Sequence, residues 1–163
     1  MKGLKGLCLL LALPVLLSEA SEPVSSGSYD FSDYPSEVSS LTLSQIDLNS
    51  HPSASNFRTR FKALQGRPAN FAGHYILVYW GCGSGCQMFS IVDVETGQIF
   101  MDDDWSSSMG VCVRADSSLL IVNPGISEPA RMQSTYYHWD GEQLVLLREG
   151  SLPEVEAGCD GSV

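Results

Sequence analysis

The chain has 163 residues, with 19 acidic and nine basic side chains and a formal net charge of −10. This length is typical of one domain. The acidity argues against binding to nucleic acid or to an anionic membrane surface, where basic side chains supply most of the attraction. We therefore expect no nucleic-acid partner, and the same charge favours encounter with a basic partner protein.

The N-terminal twenty residues have the pattern of a removable export signal. Lys2 and Lys5 precede an apolar run over residues 7–17, and small side chains stand three before and directly before a cut after Ala20. The apolar run is shorter than the roughly 20 residues of a membrane-spanning helix, so we expect no membrane span. The pattern predicts a signal peptide over residues 1–20 and a periplasmic or secreted mature chain.

Four cysteines remain after removal of that signal, an even number that predicts two disulfides in an oxidising compartment. A hairpin that turns at residues 83–85 places Cys82 opposite Cys86, at a separation that suits a disulfide. Cys112 and Cys159 then form the second bridge. This connectivity is the favoured one of the three that four cysteines allow.

A Ser-rich segment over residues 21–40 has few apolar side chains, so it is predicted to be a flexible arm. A single disulfide-stapled β domain over residues 41–163 is predicted to follow it. Leu41, Leu43, Ile46 and Leu48 indicate a first short strand at the start of this domain.

One short helix is predicted after that strand. Ser55 is placed to cap its N-terminus, and Phe57, Phe61 and Leu64 fall on one face of a helical period. Gly66 is placed to end it, because glycine readily adopts the left-handed conformation found after helices. The helix is expected to pack on a sheet through its apolar face.

Strands and turns account for the rest of the chain. The run HYILVYW over residues 74–80 is apolar on both faces and favours a central strand. Asp140-Gly141 suits a tight type I′ turn between the last two strands. Further strands are predicted at residues 87–94, 98–101, 111–114, 119–123, 136–139 and 142–148. The predicted fold class is mainly β: an antiparallel meander curled into a barrel-like or sandwich sheet, with one short N-terminal helix.

The segment NFAGHYILVYWGCGSGCQ over residues 70–87, followed by VDVETGQIF, resembles a group of uncharacterised small exported bacterial proteins. These proteins share a Gly-His-Tyr strand, a Trp-Gly-Cys-Gly-x-Gly-Cys loop and a Thr-Gly hairpin. The resemblance covers residues 57–148. It implies a location in the bacterial envelope and carries no activity.

The cysteine loop is the candidate binding site, because a rigid aromatic and glycine-rich loop loses little entropy on binding. The alternative is that its glycines only allow a tight disulfide hairpin to close. The predicted binding residues are Tyr79, Trp80, Gly81, Gly83, Ser84, Gly85 and Gln87.

Two charged clusters are further candidates. Arg58, Arg60, Lys62 and Arg67 form either a partner-binding patch or a solvated helix face. The three acidic residues at 102–104 lack the Asp/Asn and Gly spacing of a calcium loop, which favours a solvated turn. No metal or other cofactor is therefore predicted.

These patterns favour an exported binding module that inhibits or neutralises a basic protein. A hydrolase that acts on envelope material is one alternative. Another is a copper or thiol redox protein that uses the Cys-x-x-x-Cys loop together with His74 or His138 and with Met88 or Met101. The absence of a thioredoxin-like βαβ pattern disfavours the redox alternative.

Overall fold

The computed structural model of the chain describes residues 29–125 and 133–159. These residues form two four-stranded antiparallel sheets with few and short helices, which confirms the predicted mainly β, antiparallel fold. No helix in this part of the chain is both long and apolar enough to cross a membrane. The predicted signal peptide, residues 1–20, and residues 21–28 of the predicted arm lie outside the described residues.

The first sheet has the strand order β1-β2-β3, and β4 also pairs with β2. Its strands are β1 (Tyr75–Gly83), β2 (Cys86–Asp93), β3 (Ile99–Phe100) and β4 (Ser106–Ser107). The first three were predicted. The fourth was missed because a strand of two serines has no hydrophobic alternation.

Strand β1 lies at the edge of this sheet, so its prediction as a central strand is wrong. Both of its faces are nevertheless covered. Leu77 belongs to one buried cluster, while Ile76 and Trp80 belong to another. The apolar run therefore indicates only that both faces of the strand are covered. A strand at the edge of a sheet can also have both faces covered.

The second sheet has the order β5-β6-β7-β8. Its strands match the predicted ones to within two residues at each end and are β5 (Val111–Arg114), β6 (Ser117–Val122), β7 (Thr135–Trp139) and β8 (Leu144–Glu149). The predicted two-residue turn before β8 is wrong. Trp139 pairs with Leu144, which leaves a four-residue loop. Inside this loop the Asp140 carboxylate accepts hydrogen bonds of 2.8 and 2.9 Å from two backbone N–H groups, and Gly141 has a φ of +103°.

The two sheets share one buried cluster, to which both contribute apolar side chains. Its buried members are Phe71, Ala72, Tyr75, Leu77, Phe89, Ile91, Val111, Leu120, Val122 and Trp139. The described strand pairings close neither sheet into a barrel. The sheets are therefore joined through side-chain packing, which sets the positions of the loops at their ends.

The predicted helix is present but differs in detail. A 3₁₀ helix, Ala54–Phe57, leads directly into α1, Arg58–Lys62. Ser55 lies inside the 3₁₀ helix, so its predicted capping role is wrong. Phe61 is fully buried as the helical pattern predicts, and Gly66 has a φ of +81° after the helix.

The predicted first strand over residues 41–48 is wrong. Among the described residues, this segment forms one isolated bridge, between Thr42 and Pro68, and belongs to no sheet. Leu43 is nevertheless fully buried in the cluster around Trp80. The leucine pattern thus indicates that the segment is buried against the core, although the segment does not pair as a strand.

Residues 29–40, which were assigned to the flexible arm, pack on the second sheet. A 3₁₀ helix, Phe31–Asp33, is capped by the Asp30 side chain. Phe31 is only 4% exposed, and its carbonyl accepts a hydrogen bond of 2.8 Å from the Ser117 hydroxyl. The prediction of an arm is corrected for this part, because its few aromatic side chains suffice to anchor it.

The C-terminal residues add helices that the sequence did not predict. They are α2, Pro153–Glu156, and a 3₁₀ helix, Ala157–Cys159. The predicted disulfide between Cys112 and Cys159 is present and joins the second of these helices to β5. The prediction of a single helix is therefore wrong.

Candidate functional site

The hairpin between β1 and β2 carries the candidate loop. The predicted Cys82–Cys86 disulfide is present, with 5.2 Å between the two Cα atoms. The register differs from the predicted one, because Gly81 faces Gln87 and Gly83 faces Cys86. Cys82 is therefore the extra residue of a β-bulge, and its side chain reaches diagonally to Cys86.

Four of the predicted binding residues lie together at the exposed tip of this hairpin: Gly81, Gly83, Ser84 and Gly85. Gly83 and Gly85 have φ values of +145° and +65°, which a residue with a side chain rarely adopts. Gln87 lies apart from the tip and is half-buried. Its side-chain oxygen is 3.5 Å from the Ser107 hydroxyl.

Trp80, although predicted among the binding residues of the loop, is not part of the exposed tip. Its side chain is 6% exposed, and its ring centroid lies 4.6 Å from that of Phe57 and 5.9 Å from that of Phe61. The two-residue period of a strand places Trp80 on the same face as buried Ile76. This alternation in the sequence could have predicted that Trp80 is buried. The Trp80 ring packs the hairpin against α1.

The residues of the copper and redox alternative are held by other contacts. The rings of His74 and Tyr75 lie 4.2 Å apart, and those of His138 and Tyr34 lie 5.3 Å apart. Met88 packs against the cluster around Trp80. Within the described ranges, no three His, Cys, Asp or Glu side chains come together as they would around a metal ion.

A groove that was not predicted lies between the loop before β4 and the loop before β8. It consists of two cavities of about 250 and 390 Å³, which share Asp102, Trp105 and Leu144. We call it the acidic groove and define it by Asp102, Asp104, Trp105, Tyr137, Glu142 and Leu144.

Trp105 is held in the groove by a turn and by stacking. The Asp102 carboxylate accepts a hydrogen bond of 2.8 Å from the backbone N–H of Asp104, and the Asp102 carbonyl accepts one of 3.1 Å from Trp105. The Trp105 ring stacks on Phe89 at 5.7 Å and meets Trp139 edge-on at 6.1 Å. The indole is therefore preorganised and remains partly exposed.

The chemistry of the groove favours a positively charged group. Asp102, Asp104 and Glu142 are all exposed carboxylates. Burial, followed by the charge of Glu149, raises the pKa of Tyr137 above its ordinary value of 10.0, so this hydroxyl adds no negative charge to the groove at neutral pH. No lysine or arginine is among the described residues that line the two cavities. An ammonium or guanidinium group that enters either cavity meets carboxylates and also gains from contact with the aromatic face of Trp105.

A second polar cluster surrounds Glu156 in α2. Its carboxylate accepts hydrogen bonds from the Tyr136 hydroxyl, from the Ser151 hydroxyl at 2.9 Å and from the backbone N–H groups of Gly125 and Leu152. Burial by itself raises the pKa of Glu156, but the hydrogen bonds, that from Tyr136 above all, outweigh it and hold the pKa below its usual value. The cluster ties α2 to the second sheet.

Glu156→Gln is expected to lower stability by about 1 kcal/mol at neutral pH and to remove an acid-sensitive part of it. Because the pKa of Glu156 is lower in the folded than in the unfolded chain, its contribution is complete above the unfolded pKa of about 4.5. That contribution is lost as the pH falls through the lower folded pKa. Melting curves between about pH 6 and about pH 3 should therefore fall more steeply for the wild type than for the variant. Glu154→Gln, an exposed change in the same helix, is the control; equal slopes for all three proteins contradict the prediction.

The described residues define a class of protein: a small two-sheet β domain with two disulfides, an exposed hairpin loop and an acidic groove. No protein-family model, curated protein or solved structure matches the chain. The basis for a functional proposal is therefore the chemistry of these surfaces.

Proposed function

We propose that the chain is an exported binding module that recognises a basic protein, and inhibits or neutralises it, through the acidic groove. The observation that carries this proposal is that three exposed carboxylates, Asp102, Asp104 and Glu142, line two adjoining cavities that share the held ring of Trp105. A lysine or arginine side chain of the partner finds there both opposite charge and an aromatic face.

The charge of the whole chain supports the same kind of partner. A formal net charge of −10 attracts a basic protein over distances longer than any contact and raises the association rate. This attraction weakens with added salt, because ions screen exposed charges. Binding through the groove is accordingly expected to be faster and tighter at low ionic strength.

The proposed location is the periplasm or the outside of the cell. The signal pattern of residues 1–20, the resemblance to small exported proteins and two disulfides support it. We also propose that the two sheets form a sandwich, which their shared buried cluster supports. In this arrangement the loops that carry the groove lie at the ends of strands, where binding residues are commonly placed.

The test is calorimetric titration with a basic lysozyme as the probe, followed by the same titration with a groove variant. The variant combines Asp102→Asn, Asp104→Asn and Glu142→Gln. Asparagine at 102 keeps the side-chain oxygen that accepts the turn hydrogen bond, so the loop is preserved. We expect the variant to bind about tenfold more weakly, the sum of three modest ion pairs.

A second triple variant with the same change in net charge is the control. It combines Glu37→Gln, Glu95→Gln and Glu154→Gln, which are exposed and line neither cavity of the groove. Its affinity should stay within about twofold of the wild type, because distant exposed charges act weakly in salt. Equal losses in both triple variants would show that net charge alone attracts the probe. Undiminished binding by the groove variant would remove the groove from the proposal.

A further inference from the structure

The outer edge of β1 is partly occupied by the chain itself. Tyr75 exchanges two backbone hydrogen bonds with Phe71, of 2.9 and 3.0 Å. At Leu77 the Asn70 side chain takes the place of a neighbouring strand, since its amide oxygen accepts from the Leu77 N–H at 2.7 Å and its amide nitrogen donates to the Leu77 carbonyl at 3.1 Å. The outward backbone groups are therefore satisfied as far as Leu77.

Beyond Leu77 the edge is open. The two-residue period of the strand points the backbone N–H and C=O groups of Tyr79 and Gly81 in the same outward direction. Phe89, which stands opposite Tyr79, donates its N–H to Trp105 and not to β1, in agreement with this direction. Within the described part of the chain, these four groups of Tyr79 and Gly81 have no hydrogen-bond partner.

A cavity of about 400 Å³ runs beside this open edge. Its lining is largely apolar and includes Leu64, Ile76, Val78 and Tyr79, with Arg67 among its few polar members. Successive side chains of an extended peptide point to opposite sides. A peptide paired with Tyr79 and Gly81 therefore turns alternate side chains toward the cavity.

The cavity is lined by one basic side chain, and three more lie on α1, which ends two residues before the lining residue Leu64, although the chain as a whole is acidic. Arg67 is exposed and lines the cavity. Arg58, Arg60 and Lys62 are exposed on α1, which packs on β1 through Phe61. The only ion pair between described residues joins Arg114 and Asp116 on the second sheet. These four basic side chains therefore form no ion pair with another described residue.

We propose that the outer edge of β1 at Tyr79 and Gly81 binds an extended acidic peptide segment of a partner protein as an added β-strand. The open backbone groups supply up to four hydrogen bonds, the cavity takes an apolar side chain, and Arg67 faces an aspartate or glutamate. This surface differs from the acidic groove, and the inference does not rest on the function proposed for that groove. It assigns backbone roles to Tyr79 and Gly81 of the predicted binding loop.

The probe is a fluorescein-labelled peptide of alternating valine and glutamate, and the measurement is fluorescence polarisation up to about 1 mM protein. We expect saturable binding that Arg67→Glu weakens about tenfold. Arg148→Glu makes the same charge change on the second sheet and should leave the affinity within about twofold. A peptide of valine and lysine, the matched charge control, should not bind measurably.

Strand addition is tested separately from charge. N-methylation of alternate peptide bonds removes backbone donors without changing charge, and should abolish saturable binding when the methylated groups face β1. Hydrogen exchange at the Tyr79 and Gly81 amides should slow when the unmodified peptide binds.

Three peptide results would overturn the proposal: undiminished binding of both alternating N-methylated peptides, binding of the lysine peptide, or no saturable binding of the glutamate peptide. So would sedimentation showing a dimer that Arg67→Glu dissociates, because a second copy would then cover the edge. The groove triple variant should bind the peptide normally, so this proposal and the groove proposal fail independently.

Discussion

Replacing Trp80 by alanine is expected to lower the free energy of unfolding by about 3–5 kcal/mol, the usual cost of truncating a buried tryptophan. The indole is 6% exposed and packs on Phe57 and Phe61. Its N–H has no hydrogen-bond partner among the described residues, so the substitution loses packing and no hydrogen bond. Because these rings join β1 to α1, both elements should loosen. Chemical denaturation followed by circular dichroism measures the change.

Trp80→Phe is the matched variant, since it keeps an aromatic ring and removes the unpartnered N–H. It should cost less than about 2 kcal/mol and should remain folded even if the alanine variant does not. Tyr79→Ala, at the half-buried neighbour on the opposite face of the strand, should also cost less than Trp80→Ala. A loss below about 1 kcal/mol for Trp80→Ala would contradict the buried position of the ring.

Removing the Cys112–Cys159 disulfide is expected to cost about 4 kcal/mol, because the bridge spans 47 residues and restricts the unfolded chain strongly. The Cys82–Cys86 bridge spans only four residues, so its removal should cost about 2 kcal/mol. Each pair is replaced by alanines, and the free energies of unfolding are compared in urea.

Each double variant serves as the control for the other, since both lose two sulfur atoms and one disulfide. The Cys82/Cys86 variant should keep both sheets, while the Cys112/Cys159 variant also loosens the 3₁₀ helix that ends the described residues. Equal losses, or a larger loss for the short bridge, would contradict this ranking. A result of that kind would mean that native contacts around the loop, and not the unfolded chain, dominate its contribution.

Strand positions and disulfide pairing could be predicted because both depend on neighbours in the sequence. Strand β5 was predicted with its observed bounds, since a short apolar run between turns already defines a strand. Cys82 and Cys86 are brought together by the glycine-rich turn between them, and the other bridge follows. The bulge at Cys82 was missed, because a one-residue shift in register leaves the local composition unchanged.

The same local patterns gave wrong predictions where a residue is buried without belonging to a strand, or where a covered strand lies at a sheet edge. Leu43 and Phe31 are buried without belonging to a strand, because burial requires contact with the core, whereas a strand requires a neighbour with a free edge. Strand β1 shows the reverse case. Its side chains are covered on both faces, so its sequence resembles that of a central strand. The side-chain pattern does not indicate how many neighbouring strands the backbone pairs with.

Local spacing in the amino-acid sequence was enough to predict the mainly β character of the chain, the positions of most strands and the Cys82–Cys86 pair, and the Cys112–Cys159 pair followed as the two remaining cysteines. The positions of the acidic groove and of the open strand edge, by contrast, became visible only in the folded structure. Asp102 and Glu142 belong to loops of different sheets and meet in the acidic groove because the two sheets share a core. The open edge at Tyr79 likewise exists because Asn70 satisfies Leu77 and no described segment continues past it. The groove depends on contacts between distant segments, whereas the edge depends on the side-chain bonds of Asn70, seven residues before Leu77; the period of a single strand encodes neither.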